Sequence, residues 1–172
     1  MNILVLNGSA RKQGNTAAMV DAFEQGARES GHEVTRFNVA EMNIGGCLGC
    51  EYCHTKGNGE CVQNDDMPHI YSLWNTVDMI VLASPIYYGS FTGQLHSAIH
   101  RTYALGIPQK ANKMAMILSS GACEVYEASR QIYHGFIQGY FRVEDCGIFT
   151  AAGSQNKSPE KLAELKAFGR SL

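Results

Sequence analysis

Three short runs, Ile3-Leu4-Val5-Leu6, Met79-Ile80-Val81-Leu82-Ala83 and Met114-Ala115-Met116-Ile117-Leu118, contain no charged or hydroxyl side chain. A strand so composed is stable only when both its faces are covered, as in a parallel sheet sandwiched between helices. Two further runs, Glu33 to Phe37 and Gly147 to Thr150, also read as strands, and helical patterns separate the runs. The first helix is expected to use Asn15 as its N-cap and to put Met19, Val20, Phe23 and Ala27 on one face. Asp21, Glu24 and Arg28 fall largely elsewhere, and Gly31 ends the helix. The last helix has Ser158 as its cap and Pro159 in its first turn, followed by Leu162 and Leu165 at helical spacing. Five βα units predict an α/β fold of three layers around a five-stranded parallel sheet of order 2-1-3-4-5, with strands one, three and four central. In that order the ligand crevice lies outside the carboxyl ends of the strands beside strand one. Function is therefore sought in the loops leaving strands one, three and four.

The 172 residues show no internal repeat, low-complexity tract or linker-like shift in composition, so a single domain over 1–172 is expected. Fourteen basic side chains against sixteen acidic ones give a formal charge of −2, so no basic field is present to hold nucleic acid or an anionic membrane surface. No apolar run reaches the length of a membrane span, and Met1-Asn2-Ile3-Leu4-Val5 carries no basic leader. A cytoplasmic, reducing setting and small-molecule or redox-protein partners are the expectation. In that setting the six cysteines are not a disulfide framework, and four of them crowd between Cys47 and Cys61.

Strand one runs into Asn7-Gly8-Ser9-Ala10-Arg11-Lys12-Gln13-Gly14-Asn15-Thr16 and then directly into a helix. A helix amino terminus offers free N–H groups and a positive dipole end. Ser9 and Thr16 add hydroxyls, Arg11 adds a charged fork, and Gly8 and Gly14 let the backbone close around an anion. The spacing is neither that of a dinucleotide G-x-G-x-x-G nor that of a Walker loop, so a monophosphate fits better. An ordinary polar turn with a capped helix is the competing reading. The run Gly8-Ser9-x-Arg11-x-x-Gly14-Asn15-Thr16 resembles the phosphate loop of the NADPH-dependent FMN reductase family, a branch of the flavodoxin-like superfamily. The resemblance implies that Ser9, Arg11, Asn15 and Thr16 hold the phosphate of FMN.

Strand three leaves through Ser84-Pro85-Ile86-Tyr87-Tyr88-Gly89-Ser90. Pro85 stiffens the exit, Gly89 permits close backbone approach, and two tyrosines offer flat faces to an aromatic ligand. A tyrosine pair elsewhere in a chain is more often core or interface material. Ser-Pro-x-Tyr, then Gly, then Gly93-Gln94-Leu95, again resembles this family, and the resemblance implies that Pro85, Ile86, Tyr87, Tyr88 and Gly89 line the isoalloxazine ring. The small polar loop Ser119-Ser120-Gly121-Ala122 after strand four would complete the crevice. His100 precedes Arg101 where relatives commonly carry an acid, which puts any ion pairing inferred there in doubt. His96 and His100, four apart, are read as surface or contact residues, with no metal assigned to them.

Cys47-x2-Cys50-x2-Cys53-x7-Cys61 puts four thiols within fifteen residues, three of them on a Gly-rich insertion from Gly45 to Gly59 and the fourth just past it, so that all four can converge on one centre. Tetrahedral sulfur ligation suits an iron–sulfur cluster or Zn²⁺, and the spacing starts more like a cluster motif than like a zinc ribbon. It also resembles the compact motif of iron–sulfur flavoproteins, which implies a [4Fe–4S] cluster beside FMN. The alternative is that the thiols are reduced, metal-free and packed, or that some act as a pair. Cys123 and Cys146 are read as small buried hydrophobes.

The expected activity is therefore FMN-dependent NAD(P)H oxidoreduction, in which a nicotinamide gives hydride to the flavin and a flavin, quinone or dye takes the reducing equivalents. No side chain is assigned as nucleophile or general base, because the cofactor carries the chemistry. Two alternatives stand beside it: an iron–sulfur electron carrier and a zinc-stabilised interaction module. The family resemblance further implies a homo-oligomer.

Overall fold

The computed structural model describes all 172 residues. Five parallel strands form one sheet in the order β2-β1-β3-β4-β5: β1 Asn2–Asn7, β2 Glu33–Asn38, β3 Met79–Pro85, β4 Lys113–Ser120 and β5 Glu144–Ala152. Each expected strand lies inside an observed one. The largest extension is in β5, which begins three residues before Gly147. The register slips between Met114 and Met116, and Gly147 takes φ +114° there, so a bulge inside the strand reads in the sequence as its start.

Alternation along the strands divides the core. Leu4, Leu6, Ile80, Leu82, Met114, Met116 and Leu118 face one layer, packed under α3 (Met67–Trp74), α4 (Gly93–Arg101) and the segment made of α5 (Glu127–Ile132), a π-helical turn (Tyr133–Gln138) and α6 (Gly139–Phe141). Ile3, Val5, Met79, Val81, Ala115 and Ile117 face the other, under α1 (Asn15–Glu29) and α7 (Pro159–Ser171). The architecture is thus the three-layer, flavodoxin-like one. The short helix α2 (Tyr52–Thr55) belongs to the Gly-rich insertion.

α1 and α7 cross so closely that a Cβ on Gly26 would stand 2.0 Å from the Lys166 carbonyl oxygen, and one on Gly169 would stand 2.3 Å from that of Phe23. Met19, Val20, Phe23 and Ala27 are buried as expected, but so is Glu24, contrary to the sequence reading. Its carboxylate meets Arg28 at 2.9 Å and Arg36 at 3.3 Å, and these two partners, the second of them on β2, make its burial tolerable. The N-cap of α1 is Gly14 rather than Asn15, which is the first helical residue. Ser158 caps α7 as expected, accepting from Lys161 N at 3.2 Å. No helix is long and apolar enough to cross a membrane.

Candidate functional site

The carboxyl ends of β1, β3 and β4 deliver three loops to one edge of the sheet, and each is tied to the others. Gly8 N donates to Ala83 O at 2.8 Å and Thr92 Oγ1 donates to Gly8 O at 2.9 Å, joining the first loop to β3 and to the cap of α4. Here glycine is obligatory, since a Cβ on Gly8 would lie 2.5 Å from Thr92 Oγ1. Thr16 Oγ1 and Ser119 Oγ lie 2.7 Å apart, a buried bond between α1 and the end of β4. Ile86 N donates to Ser119 O at 2.8 Å, closing the triangle.

Between them is a cavity of about 160 Å³ lined by Ser9, Arg11, Asn15, Thr16, Pro85, Ile86, Tyr87, Ser119, Ser120, Gly121 and Gly153. Ten of the thirteen residues expected to bind the cofactor are in that lining. Gly14, the cap of α1, is outside the lining, and so are Tyr88 and Gly89, which follow Tyr87 directly in the chain, Tyr88 fully exposed. Gly153 is the residue that sequence reasoning missed. It follows β5, a strand whose loop was not searched, and Asn156 of the same turn donates through Nδ2 to Ser120 O at 2.8 Å and to Gly153 O at 2.7 Å. Lys157 Nζ reaches Gln13 O at 3.1 Å, so this fourth turn is fastened to the first loop as well.

The cavity suits an anion at one end. No side chain caps the amino terminus of α1, and no acidic residue stands in its first turn, so its free N–H groups and positive dipole end meet the Ser9, Arg11 and Thr16 side chains. Ser9 is itself held, accepting from Arg11 N through Oγ at 3.3 Å and donating its N–H to Asn7 Oδ1 at 3.1 Å. At about 160 Å³ the enclosed space is smaller than the ~300–1,000 Å³ of a pocket that swallows a drug-sized molecule, so it has room for a phosphate-sized group but not for an enclosed tricyclic ring. A roomier apolar cavity of about 340 Å³ lies under Tyr103, Phe136 and Tyr140, and no Lys, Arg, Asp or Glu side chain lines it. It offers nothing to a phosphate.

The cysteine insertion is built differently. Asp66 N donates to Asn43 O at 3.0 Å, and the buried guanidinium of Arg101 closes the neck. It forks onto both carboxylate oxygens of Asp65, at 2.5 and 3.1 Å, and donates to Gly45 O at 3.0 Å. Burial pushes the Asp65 carboxyl up, but the Arg101 fork and the N–H groups of Met67 and Gly45 outweigh it and hold the carboxyl below the usual range. The ion pair that His100 put in doubt is therefore made by the next residue, with a partner 36 positions away.

Beyond the neck the four thiols do not converge, although their spacing allows it. Cys47 and Cys50 are exposed, Cys53 and Cys61 are half-buried, and no three His, Cys, Asp or Glu side chains stand close enough to share a metal ion. The reason is local. Cys53 is on α2, which His54 anchors to Tyr103 O at 2.9 Å and Glu51 to the Tyr103 hydroxyl at 3.1 Å, whereas Cys47 to Cys50 forms an outer arm with Leu48 turned to solvent. Burial pushes the Cys53 thiol upward, which favours its neutral form while no metal is bound. As they stand, these residues do not fit a cluster.

His96 and His100 pack ring to ring at 5.6 Å, and His96 bonds Ser90 Oγ at 2.9 Å. His96 is half-buried and His100 is exposed. Cys146 is half-buried, but Cys123 is exposed and does not fit the expectation of a buried hydrophobe.

Comparison with known proteins agrees with the fold. An iron-sulfur flavoprotein of Archaeoglobus fulgidus is 39% identical over 106 residues, 62% of this chain and 47% of that protein. One of Methanocaldococcus jannaschii is 32% identical over 123 residues, 71% of this chain and 63% of its own length. The chain thus spans about half the length of the first curated relatives it matches, 47% and 52%. Among solved structures, the NAD(P)H:quinone oxidoreductase of Methanothermobacter marburgensis superposes with a TM-score of 0.76 at 15% identity, over 99% of this chain and 95% of that one. An FMN-dependent NADH-azoreductase of Bacillus anthracis, solved in complex with FMN, gives 0.68 at 14% identity, over 99% and 97%. At such identities the likeness is one of fold. The model of the NADPH-dependent FMN reductase family matches residues 1–145, which contain every expected site residue, and this chain belongs to that family.

Proposed function

We propose that this chain is an FMN-dependent oxidoreductase that takes reducing equivalents from NAD(P)H and passes them to a small acceptor such as a flavin or a quinone. The observation that carries the reading is the single cavity into which three strand ends bring Ser9, Arg11, Asn15 and Thr16 beside Pro85, Ile86 and Tyr87. The uncapped helix end and the glycine-dependent closeness of Gly8 to Thr92 fit a phosphate and leave no room for a bulkier first loop. Bound there, FMN supplies two-electron and one-electron chemistry. The protein binds and orients it: Arg11 and the α1 N–H groups neutralise the phosphate, Thr16 and Ser119 hold two walls together, and Tyr87 offers its half-exposed face to the ring.

Titration of the protein with FMN, followed by flavin fluorescence, tests the reading. A one-to-one complex that NADPH or NADH reduces under anaerobic conditions supports it, and a folded protein that binds no FMN overturns it. The relatives' names favour a second reading, an iron–sulfur electron carrier, but the thiols as arranged do not fit a cluster and no electron step is routed through them. About four irons and matching sulfide per chain after anaerobic purification would establish the carrier instead. We also infer self-association, supported by the exposed Tyr103, Phe136 and Tyr140 around the apolar cavity. A monomeric mass in solution would refute it.

A further inference from the structure

Tyr88 is fully exposed, yet its backbone is in the left-handed region at φ +51°, followed by Gly89 at φ +77°. Tyr87 N donates to Ser90 O at 3.0 Å and Ser90 N to Tyr87 O at 3.1 Å, so residues 88 and 89 are the centre of a two-residue hairpin with positive φ at both positions, the type I′ pattern. Asn and Gly suit the first of these positions, whereas a tyrosine is strained there. The turn does not depend on that ring for its shape. Ser129 Oγ, from fully buried Ser129 on α5, donates to Gly89 O at 3.0 Å, and His96 of α4 holds Ser90 Oγ. Two helices thus impose a strained backbone on a side chain that is not buried against either of them.

A large apolar ring that is both strained and exposed lowers stability and solubility without any compensating packing. Tyr88 is placed beside Tyr87, which lines the cavity, and so stands at the mouth where a flavin ring too large for the enclosed 160 Å³ would lie. Resting on that functional reading, we propose that Tyr88 is a substrate-contacting residue, on whose ring a planar aromatic electron acceptor of the quinone class stacks while it approaches the cofactor. In the reaction the reduced cofactor gives two electrons and returns to its oxidised state, two protons come from the reduced cofactor or water, and the quinone leaves as the hydroquinone.

The test compares Y88G, Y88F and wild type, each loaded with FMN and reduced with dithionite, so that no step depends on nicotinamide binding. Reoxidation is followed in a stopped-flow instrument as the concentration of menadione is varied, with ferricyanide, which has no aromatic face, as the control oxidant. For Y88G the menadione concentration giving half-maximal rate is expected to rise about ten-fold, the scale of one lost aromatic stack, with the ferricyanide rate unchanged. Y88F should behave as wild type. Independently of any activity, apo Y88G should melt above wild type, because glycine relieves the left-handed strain. Equal losses with both oxidants, no loss with menadione, a lower melting temperature for Y88G, or a change of oligomeric mass in Y88G would overturn the proposal. Weakened FMN binding in Y88G alone would assign Tyr88 to the cofactor instead and also overturn it. Wild-type protein that binds no FMN would overturn the functional reading itself.

Discussion

Two regions of this molecule handle polar chemistry in opposite ways. At the carboxyl edge of the sheet, four turns share hydrogen bonds among themselves, so that Thr16 to Ser119, Thr92 to Gly8 and Asn156 to Ser120 fix a cavity from the parts of different strands. In the cysteine insertion, Arg101 and Asp65 close the neck, His54 and Glu51 fasten α2 to Tyr103, and Cys47 and Cys50 stay exposed. A rigid sheet positions the ends of its strands, whereas a loop closed at its stem leaves its own side chains to local preference. The first region encloses a cavity between its turns, whereas the second is held at its neck and at α2 without bringing its thiols together.

The sharpest way to break this contrast is at the neck. Arg101→Ala leaves a buried Asp65 carboxylate without its partner, and removing one member of a buried pair costs about 3–5 kcal/mol. Chemical denaturation should show that loss. If the two regions are independent, the surviving folded protein should bind FMN within about two-fold of wild type, as expected of distant sites. A proportionate loss of FMN affinity would show that α4, pinned to Gly8 at one end and to Asp65 at the other, couples them.

The next largest effects fall on the cradle. Arg11→Ala removes one charge-assisted bond, worth about 1.5–3 kcal/mol, and should weaken FMN by roughly ten- to a hundred-fold while leaving riboflavin, which has no phosphate, unaffected. Thr16→Val leaves buried Ser119 without its partner and should cost about 1–3 kcal/mol in the apo protein, measured by thermal melting. An unchanged melting temperature would mean the inter-loop bond is not what shapes the site.

What the sequence made legible follows the same division. The strands, their order and the three loops could be read because apolar runs and Gly/Ser turns are local signals, and the sheet converts local order into spatial convergence. Gly14 replaced Asn15 as the N-cap because capping depends on backbone angles that two adjacent small polar residues leave open. Gly153 was invisible because nothing in its own neighbourhood marks it as lining a cavity made by other strands. The Arg101 to Asp65 pair and the burial of Glu24 were illegible for the same reason, since each depends on a partner brought by the fold. The spacing of the thiols allows convergence, but spacing limits only reach; in the structure α2 and its Tyr103 anchors decide direction.

A smaller effect is the response to acid. Burial lowers the pKa of His96, with the charge of His100 acting the same way, and burial lowers that of His32 next to the N-terminal ammonium. A histidine whose folded value lies below its unfolded 6.5 binds protons more readily when unfolded. The stability that these groups contribute is therefore present above pH 6.5 and is lost as the pH falls below it toward their folded values. His96→Gln should flatten that decline in a pH series of melts while leaving the His32 contribution. A decline that H96Q leaves unchanged would assign the whole effect to His32.

The smallest expected effect bears most directly on the contrast. Cys47 and Cys50 are exposed and Cys53 and Cys61 half-buried, so replacing all four by serine removes little packing, and each exposed change should fall within about 0.5 kcal/mol. If the insertion is organised only around its neck, the quadruple variant should keep the melting temperature of the metal-free wild type and its FMN affinity, because no bond between the thiols supports either one. If instead the thiols gather around a metal in the protein as purified, the wild type should contain that metal, melt higher than the variant, and lose the difference when chelated, since metal binding to a folded site adds directly to stability. The two outcomes differ before chelation and coincide after it, so one pair of melts decides whether the insertion, like the carboxyl edge, is a ligand site.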